Sequence, residues 1–201
     1  MGGRGNPKPV REYRFSANLP AAHLAAFREA LVDLAGGFTE VGTDRGTRYI
    51  VGLRGRGPRQ RLIKLLARSA PYTQQGSIRL ERQTAAPDGA EIFFLLPLLR
   101  NPGGGPRQPL FTNEQLARLR TELASRFHFQ PVMVRVYGEW RNNTGEPVPD
   151  DSLLIRIPRR SRRTIPNLRQ FIRLRILGDP SCDQDYIYLS SRWRGEFIAP
   201  A

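Results

Sequence analysis

The chain has 201 residues and a hydrophobic fraction of 39%, enough to fill packed cores, which excludes wholesale disorder and suits one large domain or two small ones. Its 32 Lys and Arg stand against 18 Asp and Glu, and a net charge of +14 points to a polyanionic partner, most often nucleic acid. A lone cysteine, Cys182, excludes an intramolecular disulfide and a cysteine-based zinc site, and no apolar run reaches membrane-spanning length.

Only Lys8 and Lys64 are lysines, so 30 of the basic residues are arginine. A GC-rich genome accounts for arginine over lysine but not for the positive excess. Guanidinium offers a planar fork that grips phosphate bidentately and stacks on bases. The excess is spread along the chain: residues 1–90 hold 15 basic and 7 acidic side chains, and residues 91–201 hold 17 and 11. With no signal-peptide pattern at the start, the sequence predicts a soluble, cytoplasmic protein with no membrane partner.

In chain order, residues 1–10 (MGGRGNPKPV) read as a flexible basic arm. Arg11 to Ala17 alternates like a half-buried strand. Pro20 precedes a helix with the apolar stripe Leu24, Phe27, Leu31 and Leu34, closed by Gly36-Gly37. Strands at Phe38 to Val41 and Arg48 to Leu53 flank the turn Thr43-Asp44-Arg45-Gly46. Arg54, Arg56, Arg59 and Arg61 follow, with Pro58 near the start of a helix whose apolar residues are Leu62, Ile63, Leu65 and Leu66. Pro71 ends this helix, and Gly76 to Gln83 reads as a fourth strand. Residues 11–84 thus spell βαββαβ, and 85–90 (AAPDGA) form a linker.

Residues 91–201 repeat the order. Glu91 to Leu99 is a strand, and Asn101 to Pro109 a flexible loop placed to cover a binding surface. Thr112 or Asn113 caps a helix with the stripe Leu116, Leu119, Leu123 and Phe127. Strands at Val132 to Trp140 and Ser152 to Ile157 flank a hairpin loop. Arg159, Arg160, Arg162 and Arg163 then lead into a helix opening near Pro166 and carrying Arg169, Arg173 and Arg175. Asp185 to Ser190 is the last strand, extended through Trp193 to Ile198. The fold class predicted is α+β, two tandem ferredoxin-like βαββαβ units. Each has an antiparallel four-stranded sheet with its helices on one face and the other face open.

Gly36-Gly37-Phe38-Thr39 after a helix, and Gly138-Glu139-Trp140 leading into Thr144-Gly145-Glu146, resemble uncharacterised small bacterial ferredoxin-like (RRM-like) proteins. That resemblance implies a fold and no activity. The tandem architecture at this length also resembles the CRISPR repeat-processing endoribonucleases. It implies binding of a structured RNA through basic residues and a cutting histidine in the first helix region, where His23 stands.

Strand, arginine loop and helix, twice over, suggest a phosphate-binding scaffold, because free backbone amides at a helix start favour an anion. Gly52, Gly55 and Gly57 would let backbone approach a phosphate, although the spacing is neither a P-loop nor a dinucleotide fingerprint. On alternation, Tyr186 and Tyr188 share the face available for stacking bases. His23 is the one candidate for acid–base chemistry, with Tyr13 and Lys64 as helpers. Asp179, Cys182, Asp183 and Asp185 read as a solvated turn rather than a cation site. The leading expectation is a non-enzymatic RNA-binding protein, RNA favoured over DNA, held with other subunits in a ribonucleoprotein and needing no cofactor or metal. The alternatives are a metal-independent endoribonuclease and a protein–protein module.

Overall fold

A computed structural model of the chain describes residues 9–43, 46–55, 57–74, 78, 80–81, 92–100, 107–141, 144–158, 161, 163–191 and 194–200. Its elements are β1 (Val10–Ala17), α1 (Ala21–Ala35), β2 (Gly37–Thr43), β3 (Gly46–Leu53), α2 (Gly57–Ser69), β4 (Ile92–Pro97), α3 (Asn113–Phe127), β5 (Val132–Arg141), β6 (Pro147–Ile157), α4 (Thr164–Phe171), β7 (Ile187–Ser191) and β8 (Arg194–Ile198). A 3-10 turn (Ala70–Tyr72) follows α2, and a π-helical segment (Ile172–Ile176) continues α4.

The strands hydrogen-bond in the order β1-β3-β2-β5-β6-β4-β7-β8 as one closed antiparallel sheet. This corrects the expected pair of open ferredoxin-like sheets, and with it the resemblances to ferredoxin-like, RRM-like and repeat-processing proteins. The reason lies at β2. In an open four-stranded sheet β2 would leave a bare row of amides and carbonyls, a liability that proteins cover or pair. Here β5 pairs with it, from Gly37 opposite Trp140 to Glu40 opposite Tyr137. Glycines at that crossing let the two backbones meet. A Cβ on Gly138 would lie 2.8 Å from the Phe38 carbonyl oxygen, and one on Gly37 2.7 Å from that of Glu139. The fourth strand expected over Gly76 to Gln83 is reduced, among the described residues, to a bridge of Leu80 with Phe15. Beside it the Glu81 N–H donates to the Arg14 carbonyl at 2.8 Å.

Two compact units divide the chain. The first takes Val10–Thr84 and Val136–Asp150. Its apolar core joins Phe15, Tyr49, Phe38 and Val51 on the strands to Phe27, Leu31, Leu62 and Leu66 on α1 and α2. Phe15 stacks on Tyr49 at 5.3 Å, and Phe27 meets both rings edge-on. The apolar spacing of α1 ends at Gly36, whose left-handed backbone (φ 76°) lets its N–H close on the Val32 carbonyl at 2.7 Å.

The second unit is built chiefly from Ala85–Arg135 and Asp151–Ala201. Its core joins Ile92, Phe94, Ile155, Ile187 and Leu189 to Leu123 and Phe171 of the helices. The segment expected to run unbroken from Asp185 to Ile198 forms two strands, β7 and β8, paired antiparallel. The Tyr188 ring lies over Gly195 of β8, filling the space where a side chain would stand.

At the start of α3 the Thr112 hydroxyl accepts from the Gln115 N–H at 3.2 Å, and the Gln115 side chain accepts from the Thr112 N–H at 2.8 Å. This reciprocal cap satisfies two otherwise orphaned donors. Thr112→Ala is therefore expected to lower stability by about 1 kcal/mol. A urea midpoint unchanged from the parent would show that water serves those amides equally well.

Candidate functional site

A long run of unbalanced charge spans α2. From Arg45 to Leu80 the sequence holds no acidic residue. Leu62 and Leu66 are buried and fix which face of α2 meets the core. At 3.6 residues per turn, Arg61, Lys64 and Arg68 then fall on the opposite face as one ridge. All three are exposed, as are Arg54 and Arg59, and none of the five has an ion-pair partner among the described residues. Two large apolar side chains stand out of the same stretch: Ile63 is 43% exposed and Tyr72 51%. Ile63, one of the four apolar residues the sequence shows in this helix, turns away from the stripe that Leu62 and Leu66 define.

Several arginines elsewhere are matched to carboxylates. In the first unit Arg28 on α1 grips Glu40 on β2 in a two-pronged pair at 2.8 and 2.5 Å. Its guanidinium also lies 4.6 Å from the Tyr137 ring centre. Hydrogen bonding to Glu40 holds the Arg28 pKa above its ordinary value. Glu40 pairs across the sheet with Tyr49 on β3 and with Tyr137 on β5. Burial, then the neighbouring Glu40 carboxylate, pushes the Tyr49 hydroxyl up from its ordinary pKa of 10.0. Burial and a hydrogen bond donated to Glu139 do the same for Tyr137. Both phenols are therefore neutral donors, and the network ties α1 to the sheet rather than offering a free base. On the opposite sheet face the Arg14 guanidinium meets the fully buried Glu12 carboxylate at 3.0 Å.

The residues singled out in the sequence fare differently. Arg56, Arg159, Arg160 and Arg162 lie outside the described residues, as does Trp193. Arg163 is exposed at the start of α4, which opens at Thr164, earlier than the turn at Pro166 suggests. Arg169 is bound by Glu196 through two bonds of 2.8 and 3.0 Å, and Arg173 is half-buried. Tyr188 packs against Phe197 at 5.3 Å and Phe93 at 6.5 Å, and Tyr186 meets Phe197 at 6.4 Å. Both tyrosines are half-buried.

The expectation of an RNA-binding protein is corrected on these grounds. Its expected stacking tyrosines are half-buried against Phe197, its helix arginine Arg169 is held by Glu196, and no comparison with known proteins supports it. The endoribonuclease alternative is corrected with it. His23 stacks on Tyr72 at 4.0 Å, while Tyr13 is buried in the core and Lys64 stands exposed on α2. Among the described residues no hydrogen bond engages the His23 ring. Asp179 accepts from the Ser181 N–H and hydroxyl, which hold its carboxyl below the usual range, and burial pushes the Cys182 thiol up. No group of three or more His, Cys, Asp or Glu among the described residues is placed to hold a metal ion. No described helix is long and apolar enough to cross a membrane.

The second unit carries a groove of about 790 Å³ between α3 and the end of α4. Exposed Ala117, Thr121 and Ser125 line it together with Phe171, Arg118, Glu122, Arg126 and Arg175. Arg175 is occupied by Glu122 at 2.8 and 3.2 Å, and this pairing holds the Glu122 carboxyl below the usual range.

No family model matches the chain, and no curated protein matches it. Among solved structures, one similar chain is a Lactobacillus acidophilus protein provisionally named a monooxygenase. It is 8% identical, with a TM-score of 0.26, and the match covers 96% of this chain and 94% of that one. A likeness that slight transfers neither activity nor site.

Two outcomes test the Arg28–Glu40–tyrosine network. Arg28→Ala strands a carboxylate that is only 9% exposed and is expected to cost about 3 kcal/mol, whereas the double variant Arg28→Leu/Glu40→Leu costs markedly less. Denaturant melts of the single and double variants measure the difference. Because the folded-state pKa of Tyr49 is raised above 10.0, its contribution to stability is complete below pH 10 and is lost as pH rises through the folded value. Alkaline unfolding should accordingly set in at higher pH in Tyr49→Phe than in the parent; coincident curves would remove Tyr49 from the account.

Proposed function

We propose that this protein is a docking module that binds an acidic protein partner through the outward face of α2. The observation that carries the reading is the acid-free run from Arg45 to Leu80, which presents Arg61, Lys64 and Arg68 as a ridge beside exposed Ile63 and Tyr72. Cations without internal partners raise the local potential, speed encounter with an anionic surface and discriminate against cationic ones. The apolar pair chooses between kinds of anion. Tyrosine and arginine are enriched at protein interfaces, where a desolvated anchor surrounded by polar contacts carries most of the energy. Sequence-tolerant binding of a nucleic-acid strand instead needs aromatic faces free for successive bases. The Tyr72 ring already has one face covered by His23.

The test compares a glutamate-rich peptide bearing leucine and tyrosine with single-stranded RNA of equal charge, each titrated into the full chain. Reversing the ridge in Arg61→Glu/Lys64→Glu/Arg68→Glu should weaken peptide binding by well over about tenfold, with the far-ultraviolet spectrum unchanged. Ile63→Ser/Tyr72→Ser should weaken it by about tenfold. Tighter binding of the RNA than of the peptide, or indifference to the loss of Ile63 and Tyr72, would overturn the reading.

A further inference from the structure

We infer that the groove between α3 and α4 in the second unit seats an amphipathic helix of a partner protein, one that carries two acidic residues about two turns apart. The inference stands on different residues from the α2 face and does not depend on it. Ala117, Thr121 and Ser125 recur at every fourth position, so one row of small, exposed side chains lines the groove over about 12 Å of helix at 1.5 Å per residue. Small residues let a second helix approach closely, and its ridge of side chains can settle between α3 and α4.

The charges fix the kind of helix. Three guanidinium groups line the groove against one carboxylate, Glu122, and Glu122 is consumed by Arg175. That leaves Arg118 and Arg126. Arg118 is 76% exposed and has only a loose contact with Glu114 at 3.8 Å. Arg126 reaches Gln170 at 3.3 Å and lies 6.0 Å from the Phe171 ring centre. These two weakly engaged cations are eight residues apart, about 12 Å along the helix. Acidic residues at i and i+7 or i+8 on a facing helix match that span, with small or aliphatic residues between them to meet the row of small side chains. A second copy of this chain fits poorly, because each copy carries a net charge of +14.

The geometry of α4 bears on the site as well. In the segment Ile172–Ile176 the Leu177 N–H closes on the Ile172 carbonyl at 2.9 Å, a five-residue step that widens the helix. Such π-turns often mark functional sites. This one carries the Arg175 that neutralises Glu122 and so leaves the groove net cationic.

The experiment titrates a fluorescent helical peptide, alanine- and leucine-rich with glutamates at i and i+7, into the full chain and reads anisotropy. Saturable binding is expected for the parent. Thr121→Trp, which fills the groove at an exposed position, and Arg118→Glu/Arg126→Glu should each weaken it by about tenfold or more. The charge-reversed variant should in turn bind the same peptide with lysines in place of the glutamates, a rescue that misfolding could not give. Repeating the titration in the reversed α2 ridge separates this site from that one: any binding through α2 is lost there, and a saturable component that Thr121→Trp abolishes should remain. The inference is overturned by no saturation up to about 1 mM, by equal binding to Thr121→Trp, by loss of binding only in the α2 variant, or by displacement of the peptide by single-stranded RNA of matched charge.

Discussion

The pairing of β2 with β5 is the constraint on which the rest of this structure depends. Four residue pairs, Gly37 with Trp140 through Glu40 with Tyr137, convert what would be an open sheet edge into an internal seam. Glycine makes the seam possible from both sides, since a side chain at Gly37 or Gly138 would press on the opposite backbone oxygen. The same seam delivers Tyr137 to Glu40. Arg28 then closes over both, so one backbone pairing sets up the polar network that fastens α1 to the sheet.

The arginines sort into two populations. Those on sheet-packing or helix–helix surfaces are spent internally: Arg28 on Glu40, Arg169 on Glu196, Arg175 on Glu122, Arg135 on Asp151. With 18 acidic residues for 32 basic ones, pairing cannot extend to every cation. The remainder need not fall anywhere in particular, yet α2 and the turn before it take Arg54, Arg59, Arg61, Lys64 and Arg68 with no acid among them. Net charge alone raises the expectation of a polyanion. Which surface meets it depends on where the carboxylates are absent.

Local structure was legible in the sequence because it follows from local rules. The stripe Leu24, Phe27, Leu31 placed α1, Thr112 placed the start of α3, and alternation placed β1 and β3 to within a residue or two. The partner of each strand was not legible. Nothing in Gly138-Glu139-Trp140 says that it pairs with Gly37 and Phe38 about a hundred positions earlier, because strand pairing is decided by tertiary competition rather than by propensity. The surroundings of Tyr186 and Tyr188 were not legible for the same reason. Alternation correctly put them on the face opposite Ile187 and Leu189, but whether that face is open depends on closure of the sheet. The outward turn of Ile63 was not legible for a different reason. A cluster of four aliphatic residues in a helix exceeds what a single stripe can bury, and only packing shows that Leu62 and Leu66 take the core while Ile63 is left outside.

That α2 keeps its charge against its own interest is the strongest reason to connect the ridge with a partner. Arg61, Lys64 and Arg68 are like charges three and four residues apart, a spacing that costs about 0.2–0.5 kcal/mol per pair. Arg59 and Arg61 sit in the first turns, where the helix dipole favours anions, and no acidic residue stands there to offset them. Only Arg68, in the last turn, is well placed for the helix itself. The apolar face supplies the compensation: Leu62 and Leu66 are buried to 0% and 3% exposure, at about 2 kcal/mol each by transfer from water. α2 therefore forms because of its core stripe and in spite of its outer face. Exchanging Arg61 or Lys64 for glutamate would relieve the helix at no cost to packing. A surface that departs from the locally favoured choice at several adjacent positions, with the stability recovered elsewhere, is what the proposed partner would account for.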